Sequence, residues 1–379
     1  MKGCFILQRR FAFIGHNLAV FLKEKYGLNE FCAYVHLRSS YDFLMKQQDI
    51  SYSTLLFDDD IQRKYKEEKL DLDYLKYLEK EFGLPNLWPY LTVDRVLMHN
   101  QSVREYPYNK SNFSHEQLLL ILQVYAKTMI GMLEKEKPDF LFYSVAGSVG
   151  GLLLLQIAKK FGVKTLVVLP TGIKEKWIIS ESYDCYSGVE EIIRRGGAEN
   201  YRPAAKKYLI DFRQKPQSYM VSLNEMLGQA NRGYQLKFLR PKYFWRSLKW
   251  FGQMIKLYWR QNKFNDYSSN LRPWNYLVDR LKRKIRNLRG LADLYDDFNP
   301  EEDFAFFPLH YEPEIGLLLQ APFHTDQIYI IRQLAKSLPI HYKLYLKEHP
   351  AMVDYRPRGF YKELKKIHNV KLINPAISS

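Results

Sequence analysis

A six-residue run without a charge, Phe140-Leu141-Phe142-Tyr143-Ser144-Val145, constrains this chain more than any other feature. It lies between Pro138-Asp139 and the turn Ala146-Gly147-Ser148-Val149-Gly150-Gly151. A strand that is apolar on both faces persists only between two covering layers, as in a parallel sheet clad with helices. Helical periodicity follows over 152–161, and a second apolar run over 164–169. Strand, crossover helix and parallel strand make one βαβ unit, which sets the fold class as α/β.

The same alternation fills the rest of the first half. Strands are expected at 4–7, 31–37 and 52–57, with helices at 17–26, 41–48, 61–82 and 115–137. Gly27 closes the first of these helices. After an acidic patch at 293–303, strands are expected at 304–308, 342–347 and 370–373. The helices of this second unit fall at 323–337 and 360–367, with a loop over 309–322. Three parallel strands and two helices make half of a doubly wound domain, with one edge left unpaired. The expectation is therefore an incomplete second domain, continued by further sequence or completed by another polypeptide. The boundaries are drawn at 1–236, 237–292 and 293–379.

The middle segment stands apart by charge. The chain has 57 Lys and Arg against 41 Asp and Glu, a net +16, and 46% of its residues are hydrophobic. From 237 to 289 there are 15 Lys and Arg against two Asp, so +13 of the +16 lies in that stretch. Four of the six tryptophans lie there too: Trp245, Trp250, Trp259 and Trp274. Aromatics recur at helical spacing with cations between them, which suits an anionic membrane surface. Trp245, Lys249, Trp250, Trp259 and Arg260 are the candidate lipid contacts. No nucleic-acid-binding motif accompanies the charge, so nucleic acid is not the expected partner. Cys4, Cys32 and Cys185 match neither a disulfide framework nor a metal spacing, which points to a reducing compartment and no metal. The first residues lack a signal-peptide pattern, and no apolar window is long enough to span a bilayer.

Candidate chemistry sits just past strand ends, where open α/β sheets place their ligands. The run Pro308-Leu309-His310-Tyr311-Glu312-Pro313-Glu314 follows one strand, and Lys347-Glu348-His349-Pro350 ends the next. Lys347 and His349 can neutralise a phosphate, and His310 can donate a hydrogen bond or exchange a proton. The turn containing Gly147, Ser148 and Gly150 can either hold an anion on backbone amides or serve close packing. Gly15-His16 is expected at the turn after the first strand, within reach of an acceptor. Asp58-Asp59-Asp60 contains an Asp-x-Asp pattern of the kind that holds metal-bound sugar nucleotides. Capping of the helix that follows is the stronger reading.

The run from Phe306 to Glu314, with Lys347-Glu348-His349-Pro350 after it, resembles the capsule polysaccharide biosynthesis family, which includes the capsule Kdo transferases. The match covers about 304–379, and the first half agrees in layout only. That family is similar to GT-B glycosyltransferases, with two Rossmann-like domains facing across a cleft. The resemblance implies a metal-independent, cofactor-free enzyme that moves a sugar, Kdo among the candidates, from a CMP-linked donor. The acceptor would be a capsule or surface polysaccharide or its lipid anchor. By the same likeness His310, Lys347, Glu348 and His349 would bind the donor, with His349 on the CMP phosphate as in bacterial sialyltransferases. His310, Glu312, Glu314 and His16 are the candidates for catalysis. Where this chain has Glu312-Pro313 the family often has Gln-Pro, so the role of Glu312 is open. The implied location is cytoplasmic, at the inner face of the membrane, with capsule assembly proteins as further partners. The alternatives are a CDP-polyol phosphotransferase of teichoic-acid type and an inactive binding or assembly protein.

Overall fold

The computed structural model describes residues 1–83, 86–99, 110–173, 176–196, 201–215, 236, 240–263, 267 and 272–377. The chain divides into two compact units, Met1–Tyr90 with His115–Ser222, and Leu91–Ser114 with Leu223–Ser379. The boundary expected at 236/237 meets residues 237–239, which lie outside the described ones.

The first unit is built on a six-stranded sheet. In chain order its strands are β1 (Lys2–Gln8), β2 (Glu30–His36), β3 (Tyr52–Phe57), β4 (Phe140–Tyr143), β5 (Lys164–Pro170) and β6 (Trp177–Ser180). Their spatial order is β3-β2-β1-β4-β5-β6, parallel except for β6, which pairs antiparallel with β5. The order reverses between β1 and β4, and such a switch point opens a crevice at the carboxyl ends of the strands. Phe5, Leu7, Phe31, Ala33, Val35 and Phe142 supply the buried face. Phe11 stacks on Phe142 with centroids 5.9 Å apart.

Helices of this unit differ from the sequence expectation mainly at their starts. Helix α1 spans Phe11–Tyr26 and ends at Gly27, whose φ of 67° admits the left-handed turn. It begins well before residue 17 because Phe11, Ala12 and Gly15 pack onto the sheet, with no side-chain cap needed. The second helix, α2, is Arg38–Leu44. The single helix expected over 61–82 is two: α3 (Asp58–Arg63) and α4 (Leu72–Phe82). Asp71 caps α4 by accepting from the Tyr74 amide at 2.9 Å, which starts a new helix instead of continuing the old one. Helix α5 (His115–Glu136) agrees with the periodicity, whereas helix α6 (Val149–Lys160) starts before the expected residue 152 because Ser148 caps it. The antiparallel edge β6 was not expected.

The second unit holds the basic helices α7 (Pro241–Asn262) and α8 (Pro273–Arg289) and a parallel sheet ordered β7-β8-β9. These strands are Phe304–Pro308, Lys343–Lys347 and Val370–Ile373. Residues 309–322 are not all loop, because α9 (Ile315–Gln320) forms within them. Helix α10 is Gln327–Ser337; Asp326 caps it by accepting from the Tyr329 amide at 3.0 Å, which delays its start past residue 323. Helix α11 is Arg358–Lys365. Leu344, Leu346, Phe360, Leu364 and Leu372 lie in one core with Ile331. Helices α7 and α8 meet through Trp250 on Tyr276 at 4.8 Å and Tyr258 on Trp274 at 5.4 Å. The Arg280 guanidinium lies 4.7 Å over the Trp250 ring. Trp250, expected to face lipid, therefore packs between the two helices. No helix among the described residues is long and apolar enough to cross a membrane.

Candidate functional site

Strands β7 and β8 pair with Pro308 opposite Lys347, so the segments that follow them leave the same edge of the sheet. The Leu309 amide donates to the Lys347 carbonyl at 2.8 Å, carrying the ladder one residue past the strand. Residue 310 is then clamped by its main chain. Its amide donates to Gln327 Oε1 at 2.7 Å, and its carbonyl accepts from Gln327 Nε2 at 3.2 Å and Arg356 Nη2 at 2.7 Å. Gln327 stands in the first turn of α10, where the Asp326 cap fixes the backbone. The imidazole of His310 is exposed and lies edge-on to Phe307.

The loop after β8 is organised around Arg356, which is 1% exposed. Its Nη1 donates to both carboxylate oxygens of Glu348, at 2.5 and 2.6 Å. Glu348 also accepts from Tyr361 Oη at 2.8 Å and from the His349 amide at 2.6 Å. Burial pushes the Glu348 carboxyl above its ordinary value, against the pull of Arg356 and Tyr361. A carboxylate this enclosed binds the fold together and does not touch a donor, contrary to the role expected for Glu348. Glu312 is half-buried, accepts a hydrogen bond from Gln327 and lies 3.3 Å from Arg356 Nη2. The charge introduced by Glu312 is thus compensated from within. Glu314 is exposed and precedes α9 as its N-cap residue, with no side-chain cap bond.

His349 is half-buried, and its Nδ1 accepts the Ala351 amide at 3.2 Å. The neutral ring therefore carries its proton on Nε2. The ring meets Tyr311 edge-on at 5.8 Å between centroids. Burial lowers its pKa, and the charges of Arg356 and the neighbouring His310 lower it further. The two segments thus bring His310, Tyr311 and His349 together. Lys347 is directed elsewhere: its Nζ donates to the Ile377 carbonyl at 2.6 Å, and burial lowers its pKa. Gln327, Arg356 and Tyr361 were not anticipated from sequence.

The switch point of the first unit is filled by its own side chains. Gln8 Nε2 donates to Ser148 Oγ at 3.2 Å, and Ser148 Oγ caps α6 by accepting the Gly151 amide at 3.2 Å. Tyr34 Oη lies 3.3 Å from Ser148 Oγ and donates to Asp58. Tyr125 Oη donates to Asp58 Oδ1 at 2.7 Å, and His36 Nε2 lies 3.4 Å from Asp58 Oδ2. A Cβ on Gly150 would stand 2.6 Å from Tyr34 Oη and 2.8 Å from a Tyr125 ring carbon. Of the alternatives for this turn, close packing governs Ser148 and Gly150, both buried; Gly147 is partly exposed. Nor do the aspartates cap α3: its N-cap is Phe57, and Asp58, Asp59 and Asp60 fill the first turn. Asp60 pairs with Arg63. Among the described residues no group of three or more His, Cys, Asp or Glu is placed to hold a metal.

His16 is not at the turn after β1. It lies within α1, 3% exposed, with Nδ1 3.2 Å from Tyr52 Oη and the ring edge-on to Phe43. Burial lowers its pKa against the attraction of Asp49. A side chain so enclosed is a packing element and not an acceptor contact.

No protein-family model matches the chain, and a comparison with curated proteins gives no match. Among solved structures, the chain is similar to the UDP-GlcNAc 2-epimerase of Neisseria meningitidis bound to UDP-GlcNAc, at 13% identity and a TM-score of 0.26. That alignment covers 99% of this chain and 72% of the other. The UDP-GlcNAc 2-epimerase of Methanocaldococcus jannaschii gives 12% identity and a TM-score of 0.25, over 100% and 74% of the two chains.

Proposed function

We propose that this chain is a metal-independent glycosyltransferase of GT-B type that takes a sugar, Kdo among the candidates, from a CMP-linked donor. The acceptor is a capsule or surface polysaccharide, or its lipid anchor, at the inner face of the cytoplasmic membrane. One observation carries the reading: the segments after β7 and β8 bring His310 and His349 together at one sheet edge, with Nε2–H the donor left to His349. A departing CMP develops negative charge on its phosphate, and preorganised donors there lower the barrier because they need not reorient as the charge appears. His349 supplies such a donor while neutral, and His310 supplies a second group able to donate or to exchange a proton. Gln327 and Arg356 hold the first of these segments, while Glu348 and Tyr361 hold the second. Their part is positioning.

The test is calorimetric titration of the full chain with CMP, followed by incubation with CMP-linked sugars. Binding of CMP and its release from a CMP-sugar are expected. Turnover of CDP-glycerol with CMP-sugars inert would replace this reading by polyol-phosphate transfer. Binding without turnover of either would make the chain a binding protein, and absence of nucleotide binding would remove the site.

A further inference from the structure

Helix α7 has an inner and an outer side. Tyr243, Trp250, Met254 and Tyr258 are half-buried, and Trp250 and Tyr258 form the contact with α8. On the outer side Trp245, Leu248, Gly252, Ile255 and Trp259 recur at steps of three and four residues, which aligns them in one stripe. Trp245 is 66% exposed and Trp259 74%. Beside this stripe Lys242, Lys249 and Lys256 recur every seventh residue, all exposed, and Lys263 continues the spacing just past the helix. The helix contains no acidic residue.

This pattern points to one kind of partner. A solvated surface has no use for two tryptophans standing in water on an otherwise aliphatic stripe. A second copy of the chain would set lysine against lysine. A nucleic acid would engage the cations and could stack on the tryptophans, but would leave Leu248 and Ile255 without a role. An anionic bilayer satisfies all of them: indole rings sit at the headgroup level, aliphatic side chains reach the acyl boundary, and lysines meet lipid phosphates. We propose that α7 lies flat on an anionic membrane surface through its Trp245–Trp259 stripe and the adjoining lysine row. Packing on α8 holds the helix in register through Trp250, so the outer stripe is formed before contact. The proposal stands apart from the transferase reading, since nucleotide binding and vesicle binding are measured separately.

The full chain is mixed with vesicles of phosphatidylcholine alone and with vesicles of equal phosphatidylcholine and phosphatidylglycerol, then floated on a density gradient. Capture by the anionic vesicles, little capture by the neutral ones, and loss of capture with added sodium chloride are expected. Each of Lys242→Gln, Lys249→Gln and Lys256→Gln should weaken binding roughly fivefold. Joint Trp245→Ser and Trp259→Ser should weaken it by about tenfold or more while nucleotide binding is unchanged. In the unaltered protein, brominated lipid should quench the intrinsic fluorescence, a readout that needs no variant to fold. Equal capture by neutral vesicles, no capture by either, or displacement from the vesicles by RNA at equal charge would overturn the proposal. So would a concentration-dependent dimer that shields the two tryptophans from an aqueous quencher.

Discussion

His349 does separate work with its two ring nitrogens. Nδ1 accepts the Ala351 amide and so caps a short 3₁₀ turn, which leaves Nε2–H as the donor of the neutral ring. Substitutions can divide these roles. His349→Ala frees the amide and should cost about 1 kcal/mol in urea denaturation. His349→Asn restores an acceptor near the same place and should recover most of that stability. Neither variant should bind CMP; an Asn variant that binds normally would place the phosphate elsewhere. The pH behaviour follows from the lowered pKa. Because the folded value lies below the unfolded one, the neutral ring is the form the fold favours. Its contribution to stability is complete above the ordinary histidine value of about 6.5 and is lost as pH falls through the lowered value. A bound phosphate pulls the other way and raises the pKa. Binding should therefore take up a proton and tighten as pH is lowered through neutrality. Calorimetry in buffers of different ionisation enthalpy measures this directly: proton uptake that disappears in His349→Asn would place the imidazolium on the phosphate, and zero uptake would leave His349 as a neutral Nε2–H donor.

At the scale of elements, two close contacts decide what the sheets tolerate. Helix α6 approaches Tyr34 and Tyr125 so nearly that Gly150→Ala has no room, and it should destabilise by about 1–3 kcal/mol. Tyr34→Phe should not rescue it, because the ring carbon that bears the hydroxyl is itself 2.7 Å from the added Cβ. In the second unit Arg356 ties together the segments after β7 and β8. Arg356→Met leaves Glu348 buried and uncompensated, which should cost about 3–5 kcal/mol by chemical denaturation. Adding Glu348→Gln should return part of it, and no recovery would mean that Arg356 acts mainly through the His310 carbonyl. The strands were legible because apolar runs between turn residues leave few alternatives, and β3, β7 and β9 have the expected bounds. Helix starts were not, where burial of Phe11 or a cap such as Asp71 decides the first turn. The site was legible in half. His310 and His349 announce themselves at strand ends, but Gln327 and Arg356 stand 17 and 46 residues from His310, and only the folded chain brings them to it. His16 and Glu348 illustrate the converse, polar residues in suggestive motifs that the packing encloses.

Taken as a whole, the molecule separates its reactive and charged groups by position. Cys4 and Cys32 are far apart in sequence but sit opposite each other in the β1–β2 register, both free and buried, while Cys185 is exposed. The interaction with the neighbouring Cys32 side chain, and then burial, hold the Cys4 thiol well above the usual range. A thiol reagent should accordingly label one cysteine in the native protein and the other two only on unfolding; fast labelling of all three would contradict the packing of this sheet. Cations are divided as well. Arg283 forms an ion pair with Asp354 at 3.1 Å and lies 3.7 Å over the Tyr355 ring, and Arg286 donates to the Tyr355 carbonyl. These arginines seat α8 against the segment that holds Arg356, whereas Lys242, Lys249 and Lys256 face outward. Acetylation discriminates between the two sets, since amines take an acyl group and guanidinium groups do not. On the membrane proposal above, chemical acetylation should strip the outward row of its charge and abolish capture by anionic vesicles, with the arginine seam untouched.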